Sequence, residues 1–181
     1  VLDLGCGGGI LSESLAEKGA IVTAYDTSKS LIEVAKKRAT VKNFKINYQV
    51  GEISSLKKKR NKFDIIISLE VIEHVADYKI FLEGIFSCLN KNGIVIISTI
   101  NRNFFSYIST ILLAEKILNL VPSGTHDWNK YIKPEEIVEY AKKYNIRLDK
   151  KSGLFPVPSA RNFNWIRTGS TCTNYILSLV N

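Results

Sequence analysis

Short apolar runs alternate with longer amphipathic segments from the start of the chain to Thr99. Apolar runs of strand length that are separated by helix-length segments are typical of βαβ units, which build a mainly parallel sheet. We therefore predict strands at Val1–Leu4, Ile21–Tyr25, Ile46–Val50, Phe63–Leu69 and Gly93–Thr99. The helices between them are predicted at Ile10–Lys18, Leu31–Thr40 and Tyr78–Leu89, the second opened by a capping box of Ser30 and Glu33.

The alternation stops after the fifth predicted strand. Phe104–Val121 has the pattern of an additional helix, which ends before a proline. A further helix is predicted to start at Lys133, with Pro134 in its first turn, and to run to about Tyr144. Two closing strands are predicted at Arg147–Gly153 and Thr173–Leu179.

Size and composition suit one soluble globular domain, since the chain has 181 residues of which 45% are hydrophobic and 23% charged. No linker or repeat divides the sequence, so residues 1–181 are predicted to form a single domain. The sequence holds no methionine and opens directly on a predicted strand, so we expect this domain to be truncated at its N-terminus. The three cysteines lie far apart and form no C-x-x-C pair, which fits a protein of a reducing compartment. We expect them to be packing residues.

A formal net charge of +8 attracts nucleic acids and anionic membranes alike. The lysines cluster at Lys36–Arg38 and Lys57–Arg60, and neither an aromatic RNA-binding signature nor a helix-turn-helix pattern accompanies them. We expect no nucleic acid partner, and a DNA-binding protein is the alternative that the charge alone allows. No uncharged apolar run reaches the length of about 18 residues that a membrane span needs.

The first strand leads into a glycine-rich segment, Asp3–Gly9, with the pattern D-x-G-x-G-x-G. Glycines here remove the side chains that would keep a ligand from the backbone as the chain turns into a helix. A dinucleotide-binding fingerprint, G-x-G-x-x-G, would need its third glycine at Ile10. The segment therefore predicts a nucleotide-like ligand other than NAD.

This glycine segment resembles the first motif of the class I S-adenosylmethionine-dependent methyltransferases. The resemblance implies a Rossmann-like α/β fold, with a mainly parallel sheet, helices on both faces and an antiparallel last strand. It also implies that S-adenosylmethionine is the cofactor. Its methionine part would lie on Gly5 and Gly7, its ribose on Asp26 at the end of the second strand, its adenine beside Glu52 and its amino acid end at Leu69. A carboxylate such as that of Asp26 can accept from two neighbouring hydroxyls at once.

Four further stretches are similar to the bacterial ubiquinone biosynthesis O-methyltransferases. They are Val1–Glu13, Leu69–Val75, Ser98–Asn103, and Gly124–Trp128 running into Ile132–Pro134. The resemblance implies methylation of a phenol or catechol hydroxyl on a polyprenylated ubiquinone precursor. It further implies a cytoplasmic enzyme, peripheral on the inner face of the membrane, that associates with other enzymes of the ubiquinone pathway.

The phenol must lose a proton, and Glu70, Glu73 and His74 offer one solution. In a helical turn the i, i+3, i+4 spacing would bring all three to one face beside the cofactor, where they could hold a divalent ion that a catechol chelates. The resemblance implies magnesium at this set. The same residues order the loop in methyltransferases that use no metal, and that alternative stays open. His126, with Asp127 beside it, is a candidate base that ranks below the metal site as the means of activating the phenol, and a loop-ordering role is its own alternative.

The apolar stretch Phe104–Val121 contains Glu115 and Lys116, so it is too polar to cross a membrane. It is predicted to lie on an anionic membrane surface, where a polyprenyl substrate is met, or to cover the pocket as a helix of the domain. Two rival functions also fit the sequence. One is a methyltransferase that acts on carbon or nitrogen of another small molecule, and the other is a catalytically silent cofactor-binding module.

Overall fold

The computed structural model describes residues 1–58, 61–108, 127–158 and 163–181. These residues form one eight-stranded sheet with the order β3-β2-β1-β4-β5-β8-β6-β7. The strands are β1 (Leu2–Leu4), β2 (Thr23–Asp26), β3 (Asn47–Val50), β4 (Phe63–Leu69), β5 (Leu89–Ile100), β6 (Arg147–Pro158), β7 (Phe163–Thr168) and β8 (Asn174–Val180). Strands β1 to β5 are parallel, and β8, β6 and β7 continue the sheet antiparallel. The mainly parallel sheet with an antiparallel last strand is confirmed.

A helix connects each parallel strand to the next along the chain, and the helix between β3 and β4 is not among the predicted ones; two further helices of the described residues follow β5. The helices are α1 (Ile10–Glu17), α2 (Lys29–Val41), α3 (Ile53–Lys58), α4 (Tyr78–Ser87), α5 (Phe104–Ser106) and α6 (Pro134–Lys142), with short 3-10 helices at Ile72–His74 and Trp128–Lys130. Of the predicted helix Phe104–Val121, residues 109–121 lie outside the described part of the chain. No helix in the described ranges is both long enough and apolar enough to cross a bilayer.

The start of α2 differs from the prediction. Its N-cap is Ser28, whose hydroxyl accepts a hydrogen bond from the backbone N–H of Leu31 at 3.3 Å. The predicted capping box of Ser30 and Glu33 is therefore wrong, because the helix already begins at Lys29. The reason lies in the preceding strand, where the side chain of Asp26 accepts from the backbone N–H of Ser28 at 2.8 Å and so fixes the turn two residues earlier.

Two apolar layers cover the two faces of the sheet. Neighbouring residues of a strand point to opposite faces, and on β2 Ala24 belongs to one core cluster and Tyr25 to the other. The Ala24 cluster includes Ile32 and Ala35 of α2. The Tyr25 cluster includes residues of α3, α4 and α6. The predicted arrangement of helices on both faces is confirmed.

The hairpin of β6 and β7 is longer than the sequence predicts. The predicted strand Arg147–Gly153 extends to Pro158, and β7 was not predicted at all. Proline removes a backbone donor and argues against a strand interior. Pro156 and Pro158 are tolerated because β8 pairs with β6 only as far as Leu154, so that among the described strands this end of β6 is paired on one side alone, with β7.

Candidate active site

A cavity of about 720 Å³ opens at the carboxyl ends of the first four strands. Open α/β sheets bind ligands at this edge because the loops that leave the strands meet there. Its described lining includes Gly5 after β1, Asp26 at the end of β2, Glu52 after β3, and Leu69 and Glu70 at the end of β4. The structure thus brings four of the five predicted cofactor residues to one cavity.

The fifth, Gly7, is tied to the cavity through Asp26, whose Oδ2 accepts from its backbone N–H at 2.8 Å. The loop around it needs glycine for two reasons. Gly5 has a φ of 80°, in the left-handed region that glycine adopts readily, and a Cβ there would overlap a methyl group of Val71. Gly9 has a φ of 82°, and a Cβ there would overlap the Tyr48 hydroxyl. The close turn is therefore fixed by backbone conformation and by packing.

The carboxylate of Asp26 is held by the backbone on both sides. Oδ2 accepts from Gly7 and Oδ1 accepts from the backbone N–H of Ser28, each at 2.8 Å. A carboxylate offers about four acceptor positions, so each oxygen keeps one for a ligand. The side chain is oriented in advance to accept from two adjacent hydroxyl groups.

Glu70 follows β4 in an unusual backbone conformation. Its φ is 55°, which is uncommon for a residue other than glycine and is found at functional sites where the surroundings hold it in place. Its backbone N–H donates to the carbonyl of Ser98 at 3.1 Å and to the hydroxyl of the same residue at 3.2 Å. Neighbouring β5 therefore imposes the conformation.

The carboxylate of Glu70 receives one hydrogen bond on each oxygen. The Ser98 hydroxyl donates to Oε1 at 2.7 Å, and Nδ2 of Asn174 donates to Oε2 at 2.8 Å. Burial raises the pKa of Glu70 and the charge of Glu73 adds to this, whereas the two hydrogen bonds and His74 lower it; the resulting pKa is about 7. A carboxyl group with such a pKa can exchange a proton near neutral pH.

Glu73 has a different environment. It is 5% exposed, and its Oε2 accepts from the Thr99 hydroxyl at 2.8 Å. Burial raises the pKa of Glu73. Thr99 follows Ser98 along β5 and so points to the opposite face of the strand, which separates the carboxylate of Glu73 from that of Glu70. Among the described residues that line the cavity are Glu70 and His74, but not Glu73.

The predicted helical face of Glu70, Glu73 and His74 is therefore wrong. The 3-10 helix begins only at Ile72, and Glu70 precedes it with a left-handed backbone, so the i, i+3, i+4 geometry does not apply. In the described ranges no group of three or more His, Cys, Asp or Glu side chains is arranged to hold a metal ion. The other predicted base, His126, lies outside the described residues.

Comparison with known proteins shows the family to which this chain belongs. A methyltransferase domain model matches residues 1–165. The ubiquinone biosynthesis O-methyltransferase of Pelagibacter ubique is 43% identical over 185 residues, which cover 99% of this chain and 74% of that protein. The enzyme of the same name from Coxiella burnetii is 43% identical over 97% of this chain and 74% of its own length. The chain belongs to the ubiquinone biosynthesis O-methyltransferase family.

Solved structures place the methyltransferase in the class I fold. The magnesium protoporphyrin IX methyltransferase of Synechocystis with bound SAH has a TM-score of 0.73 at 20% identity, over 99% of this chain and 73% of that chain. An S-adenosylmethionine-dependent methyltransferase from Clostridium acetobutylicum has a TM-score of 0.72 at 18% identity, over 99% and 82%. The Rossmann-like prediction is confirmed.

Three polar residues next to the glycine loop, Asp3, Ser12 and Glu13, join β1, α1 and α2 of this methyltransferase. None of these contacts is predicted from the sequence. Asp3 is 3% exposed, and the Ser12 hydroxyl donates to it at 2.5 Å, joining β1 to the first turn of α1. Burial raises the pKa of Asp3. Glu13 forms ion pairs with Arg38 and Lys42, at 2.7 Å each, which join α1 to α2. Asp3, Ser12 and Glu13 lie within the motif stretches of the sequence, but the motifs alone do not indicate these contacts.

Proposed function

We propose that this protein transfers the methyl group of S-adenosylmethionine to a phenol or catechol hydroxyl of a polyprenylated ubiquinone precursor. One observation carries the proposal: a single cavity holds two anchored carboxylates on either side of β1, Asp26 from β2 and Glu70 from β4. The first suits the two hydroxyls of a ribose, and the second suits a hydroxyl that must give up its proton. The family supports the same reaction, since its curated members are named for it.

The ends of the first four strands fit the cofactor. Among the described residues, no atom lies within 4 Å of the position that a Cβ at Gly7 would occupy. The backbone of Gly7 is therefore open to a ligand. We assign the methionine part to Gly5 and Gly7, the ribose to Asp26, the adenine to Glu52 and the amino acid end to the backbone of Leu69. When bound, the cofactor supplies a methyl group on a sulfonium, which is already an activated leaving group.

The residues of this chain have to align the acceptor and take up its proton. Alignment contributes most of the rate when the leaving group is activated. A phenol has a pKa of about 10, so it is mostly protonated at neutral pH. Glu70 would accept this proton, since its pKa of about 7 lies close to the working pH of an effective base. His126 stays a second candidate from the sequence.

A magnesium ion is a finer part of the proposal. Glu70 and His74 line the cavity and would hold the ion, whereas Glu73 does not fit as a third ligand while it is bonded to Thr99. Magnesium often binds through one or two carboxylates and keeps several waters. The ion would lower the pKa of a coordinated phenol, and Glu70, as a ligand of the ion, would then not serve as the base. Full turnover in excess chelator would remove it from the proposal.

Contact with an anionic membrane is a second finer part. Phe104 and Phe105 at the start of α5 are 71% and 66% exposed, and a basic chain with exposed aromatic residues suits an interface. Serine at both positions should reduce sedimentation with anionic liposomes, whereas Val41→Ser, which removes an apolar residue that is 88% exposed elsewhere, should not. Equal sedimentation of both variants would contradict the contact. Association with other enzymes of the pathway stays a prediction.

The decisive test is methyl transfer by the purified protein from labelled S-adenosylmethionine to a short-tailed catechol. Mass spectrometry and NMR of the product should locate the methyl group on oxygen. A carbon or nitrogen product would favour the first rival function. Tight cofactor binding without transfer to any phenol would favour the silent module.

A further inference from the structure

Two side chains, that of Ser98 on β5 and that of Asn174 on β8, hold the Glu70 carboxylate, and the sequence motifs assign a role to neither. We propose that Ser98 and Asn174 are positioning residues that fix the Glu70 carboxylate for the acceptor hydroxyl. The inference rests on the proposed function, and it names residues for a role that the motifs leave unassigned.

The sheet itself brings the two donors together. Ser98 pairs with Ile176 and Ile100 pairs with Asn174 across β5 and β8. Residues opposite each other in an antiparallel pair share a face, and so do residues two apart on one strand. Ser98 and Asn174 are therefore diagonal neighbours on one face, and both are buried, at 3% and 7% exposed.

The donors match the carboxylate one to one. Ser98 donates to Oε1 at 2.7 Å and Asn174 donates to Oε2 at 2.8 Å, so the plane of the carboxylate is fixed at two points. Each oxygen keeps an acceptor position for a ligand in the cavity that Glu70 lines. Ser98 also accepts from the Glu70 backbone N–H at 3.2 Å, which ties the side chain to the left-handed turn.

A purely structural pair would not need this turn. Glu70 stands at a φ of 55°, and such a conformation costs stability at a residue with a Cβ. The costly backbone and the two donors together direct one carboxylate to the cavity, which is the pattern of a site oriented before its ligand binds.

The test is a set of variants assayed for methyl transfer to a catechol. Asn174→Ala and Ser98→Ala should each lower kcat about tenfold or more, because each removes a hydrogen bond to a charged group. The KM for S-adenosylmethionine should stay near the wild-type value. The matched control is Asn101→Ala, since the Asn101 amide donates to the Thr171 carbonyl at 2.7 Å at the same sheet edge without contacting Glu70. Its kcat should stay near wild type.

Coupling decides between positioning and general support. In the Glu70→Gln background, Asn174→Ala should cause no further loss of kcat, because residues that act through one group are not additive. Additive losses, or an equal loss in Asn101→Ala, would overturn the proposal. Ser98→Ala repeats the cycle with the loss of a single oxygen, should Asn174→Ala fold poorly.

The crystal structure of Asn174→Ala gives a readout that needs no activity. We expect the Glu70 carboxylate to leave its position, and an unmoved carboxylate would overturn the proposal. A wild-type protein that methylates no phenol would instead defeat the proposed function, while the crystal structure still decides whether the two donors position Glu70.

Discussion

The two sides of the cavity hold their carboxylates by different means. On the cofactor side, backbone N–H groups of Gly7 and Ser28 orient Asp26, and both lie in the loops next to β1 and β2. On the acceptor side, side chains of Ser98 and Asn174 orient Glu70, and both come from other strands. Backbone donors serve any sequence that can adopt the turn, whereas side-chain donors must be specified one by one. The orientation of Asp26 thus depends on the turns of the fold, whereas that of Glu70 depends on two particular side chains.

The largest effect is expected on the acceptor side. Glu70→Gln should lower kcat by roughly 100-fold or more, because a positioned base contributes about 10² to 10⁴ to the rate. Cofactor affinity, measured by calorimetry, should change little. Glu139→Gln on the exposed side of α6 is the matched control and should keep its kcat. Wild-type turnover of the Glu70→Gln enzyme would contradict the role of Glu70 in proton transfer.

Asp26→Ala should lower cofactor affinity, the quantity that Glu70→Gln leaves nearly unchanged. Losing two hydrogen bonds at about 1.5 to 3 kcal/mol each should weaken cofactor binding by about a hundredfold or more. The exposed Asp64, which accepts from Asn90 outside the cavity, is the matched control as Asp64→Ala. Unchanged affinity by calorimetry would contradict the assignment of the ribose to Asp26.

Gly5→Ala separates packing from backbone strain in the loop. The new Cβ would overlap Val71, so we expect the free energy of unfolding to fall by about 1 to 3 kcal/mol. Gly19→Ala is the matched control, because Gly19 has a φ of 87° but no described atom within 4 Å of a Cβ. Denaturant unfolding of both variants measures the difference, and equal losses would assign the whole effect to strain.

The smallest effect concerns stability and pH. The pKa of Glu70 is raised from 4.5 to about 7 in the folded protein, so the folded state binds this proton more tightly than the unfolded state does. Its contribution to stability is therefore present below about pH 4.5 and is lost as the pH rises to about 7. Glu70→Gln should flatten that part of the melting-temperature profile and melt higher than wild type at pH 8. If the melting temperatures of wild type and Glu70→Gln change in parallel with pH, Glu70 has an ordinary pKa.

The same contrast explains what the sequence could predict. Gly5 and Asp26 were predicted because a turn that demands glycine and a strand that ends in an acid leave local patterns. The shared role of Ser98 and Asn174 leaves none, because it depends on the pairing of β5 with β8, which brings together two residues far apart in the sequence. The expected common face of Glu70, Glu73 and His74 is not formed for a related reason, because helical spacing does not hold where Glu70 takes a left-handed conformation.

The two sides of the cavity differ in how far apart their hydrogen-bonded residues lie in the sequence, and this sets the order in which they form during synthesis. The bond between Gly7 and Asp26 closes a loop of 19 residues, whereas that between Glu70 and Asn174 spans 104. Long-range contacts form late, because the entropy of loop closure has to be overcome first. On the ribosome, both anchors of Asp26, Gly7 and Ser28, are present before β4 is made. The acceptor side is completed only when the final strand emerges and inserts between β5 and β6.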